Sequence, residues 1–362
     1  YLGSGLVKGF AITLTVGIVG SLLGALIVTR VVFHWFTDAN ILKRITVTEI
    51  IPHGIFDMLS KAKPFIIGSF ALMVVSILVF PIKGADAIGI DFRGGSLTRF
   101  EVADTSKLDA HQVEKALKDS GFDGSYVQEN TTGTGRLITV RADADDGVKI
   151  KDALEKQFTG QLKGGQSESV GSIVGKELAI KSSIAFGIAM VCIFIYLVLF
   201  YEYSFAVGAI IALLHDCIIT IGLSVVLGQQ LSIIHISALL TVAGYSINDT
   251  IVVFDRIREI IKTRAGGNIR DIMNEAISLT LSRTLLTGVT TLGPMAALYF
   301  FGGPAMKDFS LPILIGVLVG TYSSIYIASP IVLWYAKRTG KSLRREVLDR
   351  DAANVPPPAA AV

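Results

Sequence analysis

The chain has 362 residues, of which 51% are hydrophobic and only 17% charged, and its mean hydropathy is +0.59. A soluble domain of this size carries about a quarter charged residues, so the composition does not fit an ordinary water-soluble enzyme. The net charge of +3 argues against broad nucleic-acid binding, and the two cysteines, Cys192 and Cys217, both lie in apolar runs and imply no disulfide framework.

A membrane-spanning helix needs about 20 mostly apolar residues. Seven stretches qualify in chain order: 9–33, 64–82, 181–200, 205–227, 232–254, 280–301 and 310–335. The first is too long for a signal-peptide core and reads as a true span continuing from sequence upstream. The second is short and flanked by Pro64 and Pro81. Basic residues set the orientation, because cytoplasmic flanks carry the excess. Lys43, Arg44, Lys61 and Lys63 follow span one. Arg256, Arg258, Lys262, Arg264 and Arg270 follow span five, and Lys337, Arg338, Lys341, Arg344 and Arg345 follow span seven. The loops on the other side, 228–231 and 302–308, offer only Lys307. Seven alternating spans put all the basic flanks on one side and make the C-terminus cytoplasmic.

Segment 84–175 then lies outside, and its pattern turns to soluble periodicity. It predicts a strand over 88–102, a helix over 109–120 with Asp109 as N-cap, strands near 125–128 and 136–141, a helix over 148–158 and a last strand near 166–170. That order, βαββαβ, is the ferredoxin-like split unit. The fold class is therefore a polytopic helical membrane bundle with one small α+β domain. The end of the chain, 351–362, with its prolines and alanines, reads as disordered.

The chain also repeats itself. At an offset of 299, Gly3, Lys8, Phe10, Gly17 and Trp35 fall on Gly302, Lys307, Phe309, Gly316 and Trp334. Transporters are commonly built from such repeats, and chance agreement between two membrane helices is the alternative.

Charges inside the spans point to function, since each costs about 2.5–3.5 kcal/mol at the bilayer centre on insertion scales. Asp249 lies inside span five, about 9 Å from its cytoplasmic end at the helical rise per residue. Arg283 enters span six from the same side, at similar depth. An Asp249–Arg283 pair is a candidate proton-exchange site, and a static ion pair pinning two helices is the alternative. His215 and Asp216 interrupt span four and either extend a polar path or satisfy each other. Asn248 is a candidate hydrogen-bond donor to Asp249 or helix–helix glue. Asp255 and Arg256 stand at the cytoplasmic edge, as gating residues or as a solvated helix end. No catalytic constellation, metal spacing or phosphate loop occurs, so neither an enzyme activity nor a cofactor is expected.

Residues 244–259, Gly-Tyr-Ser-Ile-Asn-Asp-Thr-Ile-Val-Val-Phe-Asp-Arg-Ile-Arg-Glu, resemble the signature of the SecF half of the SecDF protein-export family. Gly89-Ile-Asp-Phe-Arg-Gly-Gly95, His215-Asp216 and Ser282-Arg-Thr-Leu285 agree with it. The resemblance implies the RND superfamily, residence in the bacterial inner membrane, and use of the proton-motive force to assist the SecYEG channel and the SecA ATPase, with a YajC-type accessory protein. It implies that the outer domain holds the preprotein. By the same resemblance Asp249 is the essential intramembrane aspartate and Arg283 its paired arginine, while a companion aspartate in the SecD half has no counterpart here. The implied domains are a last SecD-like helix (1–36), a cytoplasmic linker (37–63), a first SecF-like span (64–83), the extracytoplasmic domain (84–175), a five-helix bundle (176–336) and a basic, disordered cytoplasmic tail (337–362). One departure is Phe200-Tyr-Glu-Tyr203, where the family often has Arg-Phe-Glu-Trp. A proton-coupled exporter of small molecules or lipids and a static assembly scaffold are the competing readings.

Overall fold

The structure, a computed structural model, describes residues 6–41, 54–103, 108–122, 125–132, 135–143, 145–264, 266–340 and 342–354. The chain opens with a rod built from α1 (Leu6–Leu23), a π-helical segment (Gly24–Val28) and α2 (Thr29–Asp38). Helix α3 (Ala62–Lys83) leads into the small α+β domain, which consists of α4 (Ile90–Arg93), β1 (Gly95–Val102), α5 (Ala110–Asp119), β2 (Tyr126–Thr132), β3 (Gly135–Ala142), α6 (Gly147–Gln157) and β4 (Leu162–Val170). The bundle follows as α7 (Ser172–Phe200), α8 (Tyr203–Val226), α9 (Ile233–Thr263), α10 (Ile269–Phe301), α11 (Pro304–Ser323), a second π-helical segment (Ser324–Ala328) and α12 (Ser329–Arg338), and α13 (Leu343–Asn354) comes last.

Among the described residues, seven helices are long and apolar enough to cross a membrane: Thr15–Asp38, Leu59–Ala87, Ile173–Phe200, Tyr203–Val226, Ile233–Thr263, Ile269–Phe301 and Ala305–Arg338. Each overlaps an expected span and runs past it at one end or both, because a helix satisfies its own backbone groups beyond the apolar run. The short second stretch is a full span, with Pro81 accommodated in its last turn.

Small residues bring the bundle helices together. Gly316 and Gly320, one turn apart on α11, face Val242 and Ser246 on α9, and a Cβ at Gly320 would meet Ser246 Cβ at 3.2 Å. Gly222 of α8 lies on Ser76 of α3, and Gly208 of α8 on Val332 of α12. Helices α8 and α9 and the seventh span, α11 to α12, are accordingly the buried centre, while the α1–α2 rod touches α9 and leaves side chains such as Val16, Leu26 and Trp35 exposed.

The two π-helical segments start 300 residues apart, and each is closed by a hydroxyl side chain bonding five residues back: Thr29 to the Gly24 carbonyl at 2.9 Å and Ser329 to the Ser324 carbonyl at 3.0 Å. The internal repeat therefore extends to a shared local distortion, one residue out of step with the sequence offset.

In the small domain the sheet order is β2-β3-β1-β4, antiparallel throughout, as in a ferredoxin-like split unit. Asp109 caps α5 in a full capping box with Gln112. Phe100, Ile138 and Val140 of the sheet bury against Val113 and Leu117 of α5 and Ile150 and Leu154 of α6. The expected strand over 88–102 is corrected: Ile90–Arg93 forms one helical turn, and the strand starts only at Gly95. Gly94 and Gly95, with φ of 80° and 126°, make the break, conformations that a β-branched residue would not adopt.

That break forms the joint between domain and bundle. Asp91 Oδ2 accepts from the Ile233 N–H at 3.1 Å, capping α9 from outside. Gly89 N–H donates to the Leu231 carbonyl at 2.8 Å, and Leu231 N–H to the Ala87 carbonyl at 2.9 Å. At the other side of the sheet Arg99 bridges Glu168 of its own domain at 3.4 Å and Asp308 of α11 at 3.2 Å.

The expected disordered tail is corrected in part. Residues 343–354 form α13, and Leu343 and Val347 bury in the bundle core. Glu346 accepts from Ser204 N–H at 3.1 Å and Ser204 Oγ at 2.6 Å, at the start of α8. Arg350 donates to the carbonyls of Val198, Leu199 and Tyr201, at the end of α7. An acid at a helix N-terminus and a base at a C-terminus both complement the helix dipole. The rest of the tail, 355–362, lies outside the described residues, as does much of the linker, 42–53.

Candidate functional site

Helix α9 carries polar side chains on two faces in the depth of the bundle. Ser246 and Thr250 look toward α8 and the α11 exit, and Tyr245 and Asp249 look toward α10. The first face is closed chemistry. Asp216 of α8 is fully buried and takes three bonds: His215 Nδ1 at 2.8 Å, Ser246 Oγ at 2.5 Å and Ser323 Oγ at 2.7 Å. Thr250 and Ser324 pair hydroxyl to hydroxyl at 3.0 Å. The His215 ring meets Tyr322 edge-on at 6.2 Å, and Tyr322 Oη accepts from Ser69 of α3 at 2.9 Å. His215 Nε2 and Thr220 Oγ1 stay buried without a partner.

The second face is open chemistry. Asp249 is 2% exposed, and its Oδ2 is buried with no hydrogen-bond partner. The polar groups facing it are the Thr287 hydroxyl and the Arg283 guanidinium, both on α10. Arg283 is itself exposed and closes no ion pair with Asp249. One turn before Asp249, the Tyr245 hydroxyl is also buried without a well-formed hydrogen bond, facing Thr287, Thr291 and Thr321. Gly288 leaves room for it, since a Cβ there would stand 3.5 Å from both Tyr245 Oη and Thr321 Oγ1. Two orphaned polar atoms thus lie among threonine hydroxyls where α9, α10 and α11 meet. In a bundle interior such groups normally find partners, and leaving one unpaired costs about 1–3 kcal/mol.

Residues 149–338 match the family model for the C-terminal part of the protein export membrane protein SecD/SecF. This chain belongs to the SecD/SecF protein-export family. It is similar to the protein translocase subunit SecF of Vibrio alginolyticus, 41% identical over 253 residues, covering 68% of this chain and 79% of that one. It is similar over 92% of its length to the fused SecDF subunit of Thermus thermophilus, at 33% identity, but spans only 45% of that protein. The crystal structure of SecDF from the same organism, a translocon-associated membrane protein, superposes with a TM-score of 0.81 at 32% identity, covering 93% of this chain and 46% of that one. The chain is thus a multi-pass membrane protein of this fold, spanning less than half of the fused relatives.

The remaining family positions sit apart from the two acids. Asn248 is exposed and makes no hydrogen bond to Asp249 among the described residues. At the basic end of α9, Asp255 is exposed and accepts from Tyr201 Oη at 3.0 Å, and Arg256 pairs with Glu259 at 2.6 Å. Arg258, which sequence reasoning left with the solvated edge, bonds the buried Glu202 at 3.2 Å and lies over the Tyr201 ring at 5.1 Å. The turn that departs from the family pattern is therefore held internally. Sequence reasoning also missed Ser323, Tyr245 and Thr287. The signal for the last was present as Thr280, Thr284, Thr287 and Thr291, a hydroxyl stripe at helical spacing.

At the end of the bundle that meets the small domain, a cleft of about 680 Å³ lies between the sheet's uncovered face and the bundle loops, lined by Arg99, Glu101, Thr139, Arg141, Gln229 and Asp308 among others. Burial pushes the Arg141 guanidinium down to about 10, against the attraction of Tyr126 and Asp86. Its Nη2 donates to Gln128 at 3.3 Å, while its Nε is buried and unpartnered. No group of His, Cys, Asp and Glu able to hold a metal ion occurs among the described residues.

Proposed function

We propose that this chain works as an accessory subunit of the bacterial Sec translocase that uses the proton-motive force to promote preprotein movement. Family membership supports the translocase role. The observation that supports the driving force is Asp249, a carboxyl inside a membrane helix with one oxygen unfilled beside the orphaned Tyr245 hydroxyl. Such an oxygen has a vacant position for a proton, and the surrounding threonine hydroxyls offer a relay on either side. Asp216, with every oxygen occupied, is a structural anchor in this scheme. Arg283, exposed and unpaired, is free to approach Asp249 and leave it as its charge changes.

In this proposal the basic end of the bundle is cytoplasmic and the 84–175 domain extracytoplasmic, where its cleft receives the emerging preprotein. Residues 1–36 supply the last helix of a SecD-like half, whose companion aspartate completes the relay. SecYEG, SecA and a YajC-type protein are the partners. Proton uptake by reconstituted vesicles tests the scheme, using full-length fused protein against its Asp249→Asn variant. Uptake and export lost together support it, and unchanged uptake in a folded variant overturns it.

A further inference from the structure

A second cavity, of about 440 Å³, opens at the basic end of the bundle, where the start of α10, the last turn of α12 and the start of α13 meet. Its walls are Asn268, Ile269, Arg270, Leu333, Ala336, Lys337, Ser342 and Leu343. That set contains two cations and no acid. Arg270 has one long ion pair, to Asp57 at 3.6 Å, and Lys337 is exposed with no carboxylate partner among the described residues. The remaining walls are largely apolar, with Leu343 almost fully buried beneath them. Trp334, the residue after Leu333 on α12, is 57% exposed, and Arg338 lies over its ring at 5.8 Å, an arrangement suited to the water–hydrocarbon boundary.

We infer that this cavity is a binding site for the headgroup of an anionic phospholipid. The phosphate sits between the Arg270 guanidinium and the Lys337 ammonium, the glycerol rests on Leu333 and Ile269, and the acyl chains run down the exposed face of α12 past Trp334. Three features carry this choice. The charge is one-sided, so a neutral or cationic headgroup gains nothing. The cavity falls within the roughly 300–1,000 Å³ of small-molecule sites. It also lies at the end of two spans, where basic pockets between membrane helices meet lipid headgroups. Arg270 supplies a planar fork for a phosphate and Lys337 a mobile point charge, a complementary pair for one anionic group. A soluble phosphate would use the same cations but would leave the apolar walls and the Trp334 flank without a role.

The test uses the full chain in detergent micelles, titrated with phosphatidylglycerol or phosphatidylcholine and followed by native mass spectrometry and thermal unfolding. Wild-type protein is expected to retain phosphatidylglycerol and to gain stability from it, and to do neither with phosphatidylcholine. Arg270→Gln combined with Lys337→Gln is expected to weaken retention about tenfold or more. Because Arg270 also touches Asp57, Lys337→Gln alone serves as the second variant, with a loss of several-fold and an unchanged fold. Equal retention of phosphatidylglycerol by wild type and both variants overturns the site. Binding of inorganic phosphate as tight as that of the lipid overturns the lipid as its occupant.

Discussion

Ser246 donates to Asp216 across the α8–α9 interface at 2.5 Å, while Asp249, three residues further along the same helix, keeps one oxygen without a partner. The two intramembrane acids are alike in burial and opposite in saturation. Asp216 holds helices together, since its bonds come from α8 itself, α9 and α11. Asp249 is left chemically unfinished.

Opposite consequences are expected for the two amide replacements. Asp216→Asn should lower the thermal midpoint measurably, because an amide has one acceptor oxygen and cannot accept from His215 on one side and from Ser246 and Ser323 on the other, and each buried donor left unpaired costs about 1–3 kcal/mol. Asp249→Asn should leave the midpoint nearly unchanged while abolishing proton uptake. Thermal unfolding in detergent beside vesicle uptake measures both. The same loss of midpoint in the two variants would refute the division of roles.

Close approach of α9 and α11 should be intolerant of bulk. Gly316→Leu forces its side chain into Val242 and separates the helices, withdrawing Ser323 from Asp216. Overpacking of this kind costs about 1–3 kcal/mol, and the added loss of a buried bond places Gly316→Leu above Gly17→Leu, whose position is open. Relative yield of folded protein by size-exclusion chromatography ranks the two.

Helix α13 should matter despite its place at the end of the chain. Replacing Glu346 by Ala removes the acceptor for the Ser204 amide in the first turn of α8, at the ~1 kcal/mol cost of a lost N-cap. Replacing Arg350 by Ala frees the last carbonyls of α7. Both variants should speed proteolytic cleavage at the Phe200–Tyr203 turn, read by mass spectrometry, and a cleavage pattern identical to wild type would count against the clamp.

Acid should loosen the linker that precedes α3. Asp57 is slightly desolvated, which raises its pKa, but the Asn274 amide, the Ser60 N–H and the Arg270 guanidinium outweigh this and hold the carboxyl below its ordinary range. A depressed folded-state value means that its contribution is complete above the unfolded-state pKa and is lost as pH falls through the folded one. Hydrogen exchange at Leu59, whose N–H bonds Asn274 Oδ1 at 3.0 Å, should therefore accelerate below the carboxylate range in wild type. In Asp57→Asn, corrected for intrinsic rates, no such acid step should appear.

The spans were legible because each is an apolar run that water cannot tolerate, and α5 because Asp109, Val113 and Leu117 announce a capped amphipathic helix. The strand before Gly95 was over-read, since Ile88, Ile90 and Phe92 alternate like a strand while the following glycines turn the chain. Helix α13 was missed for a different reason. Its attachment is largely polar, through Glu346 and Arg350 to the ends of other helices, and leaves little apolar stripe to detect. Both intramembrane acids stood out in the sequence, but their difference did not. It depends on Ser246 and Ser323, which lie 30 and 107 residues from Asp216 along the chain.

The Asp91 carboxylate crowns the same continuous rod that carries Asp249. A sideways pull on the small α+β domain therefore loads this cap on α9, together with the Gly89–Leu231 and Arg99–Asp308 contacts. By reciprocity, a rod that slides or turns inside the bilayer presents a changed anchorage to the domain. Push and response thus share this carboxylate among their points of contact.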